Sequence, residues 1–151
     1  MSKSLTRPAW LLALWFCCLP LFAAPDADQA KPFAEKKLVL QLSDADAEKQ
    51  TMVLNVVSNL LNFYGPDRID IEVVTFGPGV RLLFADNENT ERIDRLAKDS
   101  GIRFSICDNT LASIKRQTGH EPALNPHAGH VEAGVVRIMD LVSQGYTLIR
   151  P

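Results

Sequence analysis

The stretch Arg103-Phe104-Ser105-Ile106-Cys107-Asp108-Asn109-Thr110-Leu111 passes from a strand-like apolar run into a helix-like segment with no loop between them. Residues 102–106 have the length and composition of a short buried strand. Residues 110–118 place apolar side chains on one helical face, end with basic residues and are followed by glycine. The stretch therefore predicts a strand joined directly to a helix, with Cys107 at the junction.

The same alternation of strands and helices extends in both directions along the chain. Further strands are predicted at 37–42, 69–76 and 146–149, with a weaker one around Val131. Further helices are predicted at 47–64, from Asn89 to Gly101 and from Val135 to Gly145. Such alternation implies right-handed βαβ units. We therefore expect an α/β fold with three αβα layers and a mainly parallel sheet of about five strands.

The predicted sheet also indicates where a functional site would lie. Reactive groups in parallel sheets gather outside the carboxyl ends of the strands, and Cys107 occupies such a position. The loops at Ser43-Asp44 and Gly77-Pro78-Gly79 are expected nearby. We interpret Ser43, Asp44 and Asp46 as helix-capping residues. The glycine-proline loop matches neither nucleotide-binding glycine motif, so we interpret it as a tight turn.

The N-terminus has the pattern of a secretory signal. Lys3 and Arg7 precede an apolar run over 9–22 that ends in small residues, which predicts a signal peptide over 1–23. Residues 24–36 are polar with prolines and are predicted to be a disordered lead-in to a domain over 37–151. An uncleaved anchor is the alternative. With cleavage we expect a periplasmic or secreted protein with no stable membrane insertion.

Composition narrows the function classes. The chain has 151 residues and a formal net charge of −2, which becomes more negative when the signal peptide is removed. A nucleic-acid-binding protein would show a basic patch, so no nucleic-acid partner is expected. Cys17 and Cys18 lie within the predicted signal peptide, which leaves Cys107 as the single thiol of the processed protein.

Three sequence elements resemble a known family. They are the run from Phe104 to Leu111 with its Cys-x-Asn-Thr-Leu pattern, the turn Phe76-Gly77-Pro78-Gly79, and the C-terminal segment 134–151 containing Gln144-Gly145-Tyr146. Together they resemble the DsrE/DsrF-like proteins over about 37–151. The resemblance implies a three-layer α/β fold, assembly into homotrimers or hexamers, and a role in sulfur relay.

In the relay members of that family a loop cysteine carries a persulfide sulfur between proteins, and only Cys107 matches it here. The resemblance thus implies a sulfur carrier or weak sulfurtransferase with a thiol-bearing protein partner and no cofactor. We interpret the residues around the cysteine as shaping its loop; they are Asp108, Asn109, Thr110, Gly77 and Gly79. The predicted export signal distinguishes this chain from the cytoplasmic relay proteins.

Two opposing effects act on the thiol of Cys107. A helix N-terminus lowers the pKa of a cysteine through its backbone N–H groups and dipole, while the adjacent Asp108 carboxylate disfavours a thiolate. The sequence leaves the net direction open. The alternative interpretation of Cys107 is a small buried apolar side chain at a strand end.

Three histidines, His120, His127 and His130, lie in one polar loop near Glu121 and Glu132. Histidine is a common metal ligand, but these spacings match no compact metal motif, and a polar surface loop explains them equally well. No metal is predicted. If the loop folds over Cys107, a histidine would instead stabilise its thiolate.

The sequence leaves three function hypotheses. The first is an exported protein in which Cys107 carries sulfane sulfur as a persulfide. The second is a non-catalytic oligomeric binding module of the same fold, and the third is a metal-binding accessory protein that uses the loop 120–130. The apolar side chains after the glycine turn are expected either to fill the core or to form a subunit interface; they are Val80, Leu82, Leu83 and Phe84.

Overall fold

The computed structural model describes residues Ala30–Pro151. In this part of the chain five strands alternate with helices. The strands are β1 (Lys36–Leu42), β2 (Ile69–Thr75), β3 (Arg103–Cys107), β4 (Ala128–Val131) and β5 (Thr147–Ile149). The α-helices are α1 (Ala47–Tyr64), α2 (Thr90–Ser100), α3 (Asp108–Thr118) and α4 (Gly134–Ser143), and a 3₁₀ helix spans Gly77–Leu83.

The five strands form one parallel sheet in the order β4-β3-β2-β1-β5. Because β1, β2, β3 and β4 follow one another across the sheet, right-handed crossovers place α1, α2 and α3 on one face. The connection from β4 to β5 runs back in the other direction, which places α4 on the opposite face. The predicted three-layer αβα fold is confirmed.

The face covered by α1, α2 and α3 carries the large apolar core. Its fully buried side chains include Leu40, Leu54, Ile71, Leu82 and Ile106. The apolar residues after the glycine turn belong to this core, since Val80, Leu82 and Leu83 are fully buried and Phe84 is 9% exposed. Of the two expectations for this segment, the core is right and a subunit interface is wrong.

The face covered by α4 has a smaller apolar cluster and buried charges. The cluster contains Val39, Val74, Ile138, Leu141 and Tyr146. The carboxylates of Asp70 and Glu72 lie in β2 on this same face and are fully buried. The two sides of the sheet therefore differ in chemistry as well as in size.

Helix α1 shows how the local sequence sets an element boundary. Asp46 is its N-cap residue, and the Asp46 carboxylate accepts a hydrogen bond of 2.9 Å from the backbone N–H of Lys49. Asp44 instead forms an exposed ion pair of 2.9 Å with the Lys49 ammonium. Among the three expected capping residues, Asp46 thus makes the capping hydrogen bond. Gly65 ends the helix with a positive φ of 85°.

The C-terminal third differs from the predicted pattern at one place. Strand β4 begins at Ala128, inside the segment 120–130 that was predicted to be a polar loop, and pairs with β3 from Phe104 to Cys107. The sequence predicts this strand only weakly. Its four residues include Gly129 and His130, which are exposed at the edge of the sheet. Pairing with β3 compensates for the weak local preference.

Lys31 joins the N-terminal segment to the body of the domain. Its ammonium donates hydrogen bonds to the carbonyl oxygens of Pro66, Ile69 and Ser100 at 2.6, 3.2 and 2.5 Å. This part of the chain differs from the disordered lead-in predicted over 24–36. Residues 1–29, including the predicted signal peptide with Cys17 and Cys18, lie outside the described residues. No helix between Ala30 and Pro151 is long and apolar enough to cross a membrane.

Candidate functional site

Cys107 is the last residue of β3 and the N-cap residue of α3. Its backbone is extended, with φ −77° and ψ 114°, so the chain turns from strand to helix at this residue. The side chain lies on the same face of the sheet as Ser105 and is 6% exposed. The thiol is directed toward the carbonyl oxygen of Glu132 at 4.0 Å. Cys107 therefore has the position that the sequence predicts, with very little exposure.

A second helix N-terminus meets Cys107 from the other side. Helix α4 begins at Gly134, whose α-carbon packs against Phe76 and Cys107. A β-carbon at Gly134 would lie 3.0 Å from Cβ of Phe76 and 3.4 Å from Cβ of Cys107. Only glycine fits here without displacing Phe76. The sulfur thus lies between the first turns of α3 and α4, where backbone N–H groups have no partners within the helix.

These two helix ends lower the pKa of Cys107. Burial raises the pKa of the thiol, but the Thr110 hydroxyl and the backbone N–H groups of Gly134, Thr110 and Asn109 around the sulfur lower it, and their combined effect is larger. The side chain makes no regular capping hydrogen bond in α3. The pKa is therefore lowered by several weak contacts acting together, which favour the thiolate.

The predicted loop-shaping residues are brought together at this edge of the sheet. The Gly77 N–H donates a hydrogen bond of 3.0 Å to the Thr110 hydroxyl, which links the glycine turn to the first turn of α3. Gly79 packs against the end of β1, because a β-carbon there would lie 2.3 Å from the Leu42 carbonyl oxygen. The Asn109 N–H donates to the Glu132 carbonyl at 3.2 Å.

Asp108 turns away from the thiol and pairs with His130. The Nδ1 atom of His130 lies 2.6 Å from a carboxylate oxygen of Asp108, and both side chains are about half exposed. The residue beside Cys107 thus has a partner of its own in β4. The sequence places Asp108 next to Cys107 but leaves open whether a histidine of the loop lies near them, and the structure pairs Asp108 with His130 at the edge of the site.

The other two histidines do not join this pair. His127 lies 3.6 Å from a carboxylate oxygen of Asp94, and the His120 backbone carbonyl accepts a hydrogen bond from Thr118. In residues 30–151 no group of three or more histidine, cysteine or acidic side chains is placed to hold a metal ion. The histidine loop therefore gives no support to the metal-binding hypothesis.

Beneath α4 lies a polar network that the sequence reasoning missed. The Glu72 carboxylate accepts hydrogen bonds from Ser105 Oγ at 2.6 Å, Arg103 Nε at 3.1 Å, and Arg137 Nε and Nη2 at 2.7 and 2.8 Å. The network continues to Asp70, which pairs with Arg103 at 2.8 Å and accepts a hydrogen bond from the Tyr146 hydroxyl. All these groups share the face of Cys107.

One sequence signal was available for this network. Asp70 and Glu72 alternate with apolar residues in β2, and Arg103 and Ser105 alternate in the same way in β3. Alternate positions of a strand share one face, so four polar groups on adjacent strands point to a common side. The tertiary structure then brings Arg137 from α4 onto them.

The network shifts the pKa values of its members so that Glu72 stays ionised, Arg103 stays protonated and Tyr146 stays neutral. Burial raises the pKa of Glu72, but hydrogen bonds from Arg137 and Ser105 and the charges of both arginines lower it below its usual range. Burial lowers the pKa of Arg103, but Asp70 and Glu72 raise it above its usual range. Burial and the hydrogen bond to Asp70 raise the pKa of Tyr146 to about 12.

A groove of about 410 Å³ lies beside the site, between the 3₁₀ helix and α3. Thr110 belongs both to the wall of this groove and to the surroundings of the sulfur. Arg81 also lines the groove, and its guanidinium stacks 5.4 Å above the ring of Phe84. A larger cleft of about 580 Å³ lies along β3 and β4 but does not include Cys107.

Comparison with known proteins supports the fold. No protein-family model matches the chain, and no curated protein matches it. A similar solved structure is that of a protein of unknown function, MTH1491, from Methanobacterium thermoautotrophicum. It is 28% identical, has a TM-score of 0.68, and the match covers 78% of this chain and all of that one. This similarity supports the fold of the chain but indicates no activity.

Proposed function

We propose that this protein handles sulfur outside the cytoplasm, with Cys107 carrying sulfane sulfur as a persulfide to the thiol of a partner protein. One observation supports this proposal above the others. The sulfur of Cys107 lies between the N-terminal turns of α3 and α4, whose N–H groups lower the pKa of the thiol. A thiolate is the form that attacks a sulfane donor and the form that leaves after transfer.

The chemistry has two steps. The Cys107 thiolate attacks the outer sulfur of a sulfane donor such as thiosulfate, the donor S–S bond breaks, and sulfite leaves with its electron pair. The product is a persulfide on Cys107. A partner thiolate then attacks the outer persulfide sulfur, which forms the partner's persulfide and returns the Cys107 thiolate. The protein would therefore act as a carrier or weak sulfurtransferase without a cofactor.

The setting of this chemistry rests on the sequence. The pattern of residues 1–23 favours export to the periplasm or secretion. The resemblance of the segments around Phe76, Cys107 and Tyr146 to the DsrE/DsrF-like proteins favours sulfur relay over other uses of a thiol. Sequencing the N-terminus of protein from the exported fraction tests the first point. A mature chain that still begins at Met1 would contradict cleavage.

A homo-oligomer, trimer or hexamer, is part of the proposal. The outer face of α4 supports it, because Val135, Val136, Met139 and Val142 are between 45% and 66% exposed. Contiguous exposed apolar side chains are typical of interaction sites. Native mass spectrometry of the wild type and of Met139→Lys tests it. Met52→Lys on α1 is the matched control, since Met52 is also exposed, and dissociation by Met139→Lys alone would support an α4 interface.

Single-turnover labelling tests the carrier proposal directly. The processed protein is incubated with thiosulfate, desalted and measured by intact mass. We expect the wild type to gain one sulfur atom that a reductant removes, and Cys107→Ala to gain none. Equal mass gain by the two proteins, or no gain by either, would overturn the proposal. Transfer to a small thiol then tests the second step.

The second candidate function is a non-catalytic oligomeric binding module. The burial of Cys107 favours it, because a side chain that is 6% exposed is poorly placed to meet a second protein. This candidate predicts that iodoacetamide modifies Cys107 only after unfolding and that Cys107→Ala leaves the oligomer and its stability nearly unchanged. Rapid alkylation of the folded protein would exclude it.

A further inference from the structure

The ion pair between Glu72 and Arg137 has an unusual position. Glu72 lies in β2, is fully buried, and holds Arg137 of α4 with two hydrogen bonds of 2.7 and 2.8 Å. Ser105 of β3 holds the same carboxylate from a third element at 2.6 Å. Ser105 is two residues before Cys107 on the same face. The pair thus connects α4 to the two strands that lead to the site.

Stability alone is a weak explanation for these buried charges. Removing two charges from water costs several kcal/mol per ion, and replacement of a buried ion pair by apolar side chains is often neutral or stabilising. Bidentate hydrogen bonds, in contrast, define direction and distance closely. The pair therefore contributes geometric precision, which apolar contacts supply less well.

Helix α4 needs such a constraint. Its buried side chains beyond Gly134 are Ile138 and Leu141. Because apolar burial is non-directional, these contacts define the position of the helix over the sheet less closely. Arg137 lies three residues after Gly134, in the first turn of α4. A shift of this turn would move the Gly134 N–H relative to the Cys107 sulfur. It would also change the contact between Gly134 and Phe76.

We propose that Glu72 and Arg137 are positioning residues for Cys107, whose bidentate ion pair fixes the first turn of α4 against the sulfur. This inference deepens the proposed function, because it names the residues that hold the thiolate site together. Neither side chain touches the sulfur. Their effect passes through Gly134, the helix N-terminal residue that contacts Cys107.

The test compares two buried carboxylates in the same strand. Glu72→Gln removes the charge that holds α4, whereas Asp70→Asn removes a charge that pairs with Arg103 and Tyr146. The rate of iodoacetamide alkylation against pH gives the pKa of Cys107 in each folded variant. We expect Glu72→Gln to raise this pKa, because the Gly134 N–H, one of several groups that favour the thiolate, is displaced. Asp70→Asn should leave it unchanged.

The charged groups around the thiol are kept constant in this comparison. They are Asp108 with its partner His130, and Glu132, whose backbone carbonyl lies 4.0 Å from the sulfur. Because every variant retains them, a difference between the two carboxylate variants reports on α4. Arg137→Lys provides a second measurement in a milder variant, because lysine keeps the charge but loses the bidentate geometry. We expect it to raise the pKa of Cys107 by a smaller amount.

The outcomes separate this inference from the proposed function. Equal alkylation profiles for Glu72→Gln, Asp70→Asn and wild type would overturn the positioning role even if Cys107 forms a persulfide. If Glu72→Gln does not fold, an unchanged profile for Arg137→Lys overturns the role by itself. A raised pKa of Cys107 in Glu72→Gln and Arg137→Lys, with no persulfide in the wild type, would support the positioning role and refute the proposed sulfur carrier.

Discussion

The two faces of the sheet are built on different principles. The face under α1, α2 and α3 is filled by aliphatic and aromatic side chains such as Leu54 and Phe104, with 0% and 2% exposure. The face under α4 has a thin apolar cluster, the buried carboxylates of Asp70 and Glu72, and the partly buried Arg137. Cys107 lies on the second face, at the end of its strand.

The two faces therefore contribute differently to the stability of the domain and to the orientation of its groups. Burial of apolar surface is non-directional, so the first face stabilises the domain while tolerating small adjustments. Hydrogen-bonded charges contribute less net free energy but define orientation. The candidate site lies on the face where orientation is defined, and four predictions follow from this contrast.

Glu72→Leu should have the largest effect. It places an apolar side chain against the partly buried Arg137 and Arg103, and loss of one partner of a buried pair costs about 3–5 kcal/mol. Urea denaturation measures the change in the free energy of unfolding. Adding Arg137→Met should recover part of the loss because it removes the charge that Glu72 balances. A loss below about 1 kcal/mol would mean that the buried charges contribute little to the free energy with which α4 is held on the sheet.

Leu54→Ala tests the apolar face. Leu54 is fully buried, and its truncation should lower the free energy of unfolding by about 3 kcal/mol through lost burial and a cavity. The pH profile of Cys107 alkylation should stay as in the wild type, since Leu54 lies across the sheet from the site. Met52→Ala, on the exposed side of the same helix, should change stability by less than about 0.5 kcal/mol. A shifted thiol profile would show that the faces are coupled.

Gly134→Ala should combine a smaller loss of stability with an altered thiol. The added methyl group would press on Phe76, and such overpacking costs about 1–3 kcal/mol. We expect the pKa of Cys107 to rise as the N–H of residue 134 is displaced. Gly129→Ala is the matched control in β4, where the new β-carbon would meet the Phe104 carbonyl at an ordinary 3.4 Å. If Gly134→Ala and Gly129→Ala had the same effects on stability and on the pKa of Cys107, close packing at Gly134 would be contradicted.

The smallest effect concerns the titration of Tyr146. Its hydroxyl is buried against Asp70, so the raised pKa of about 12 makes its stabilising contribution complete below the pKa of a free tyrosine. That contribution is lost as the pH rises through the folded pKa. Absorbance near 295 nm follows the ionisation of Tyr146, and Tyr146→Phe should remove this late phase. A late phase that persists in Tyr146→Phe would contradict the assignment of the raised pKa to Tyr146.

Several features of the site were predictable because they depend on local sequence. Cys107 is expected at a strand–helix junction, and the apolar pattern around it predicts the end of the strand within one residue and the start of the helix within two. The capping role of Asp46 follows from side-chain chemistry beside the first helix. Strand β4 was harder to predict, because its pairing with β3 outweighs a weak local preference.

The sequence by itself determined the alternation of strands and helices, the apolar face and the position of Cys107 at the end of β3. These features depend on periodicity and on neighbours along the chain. Only the tertiary structure decided that Gly134 meets Cys107, that His130 pairs with Asp108, and that Arg137 binds Glu72. The partners in these contacts are 22 to 65 residues apart. Local periodicity shows which face a side chain occupies, but the packing of the layers selects its partner.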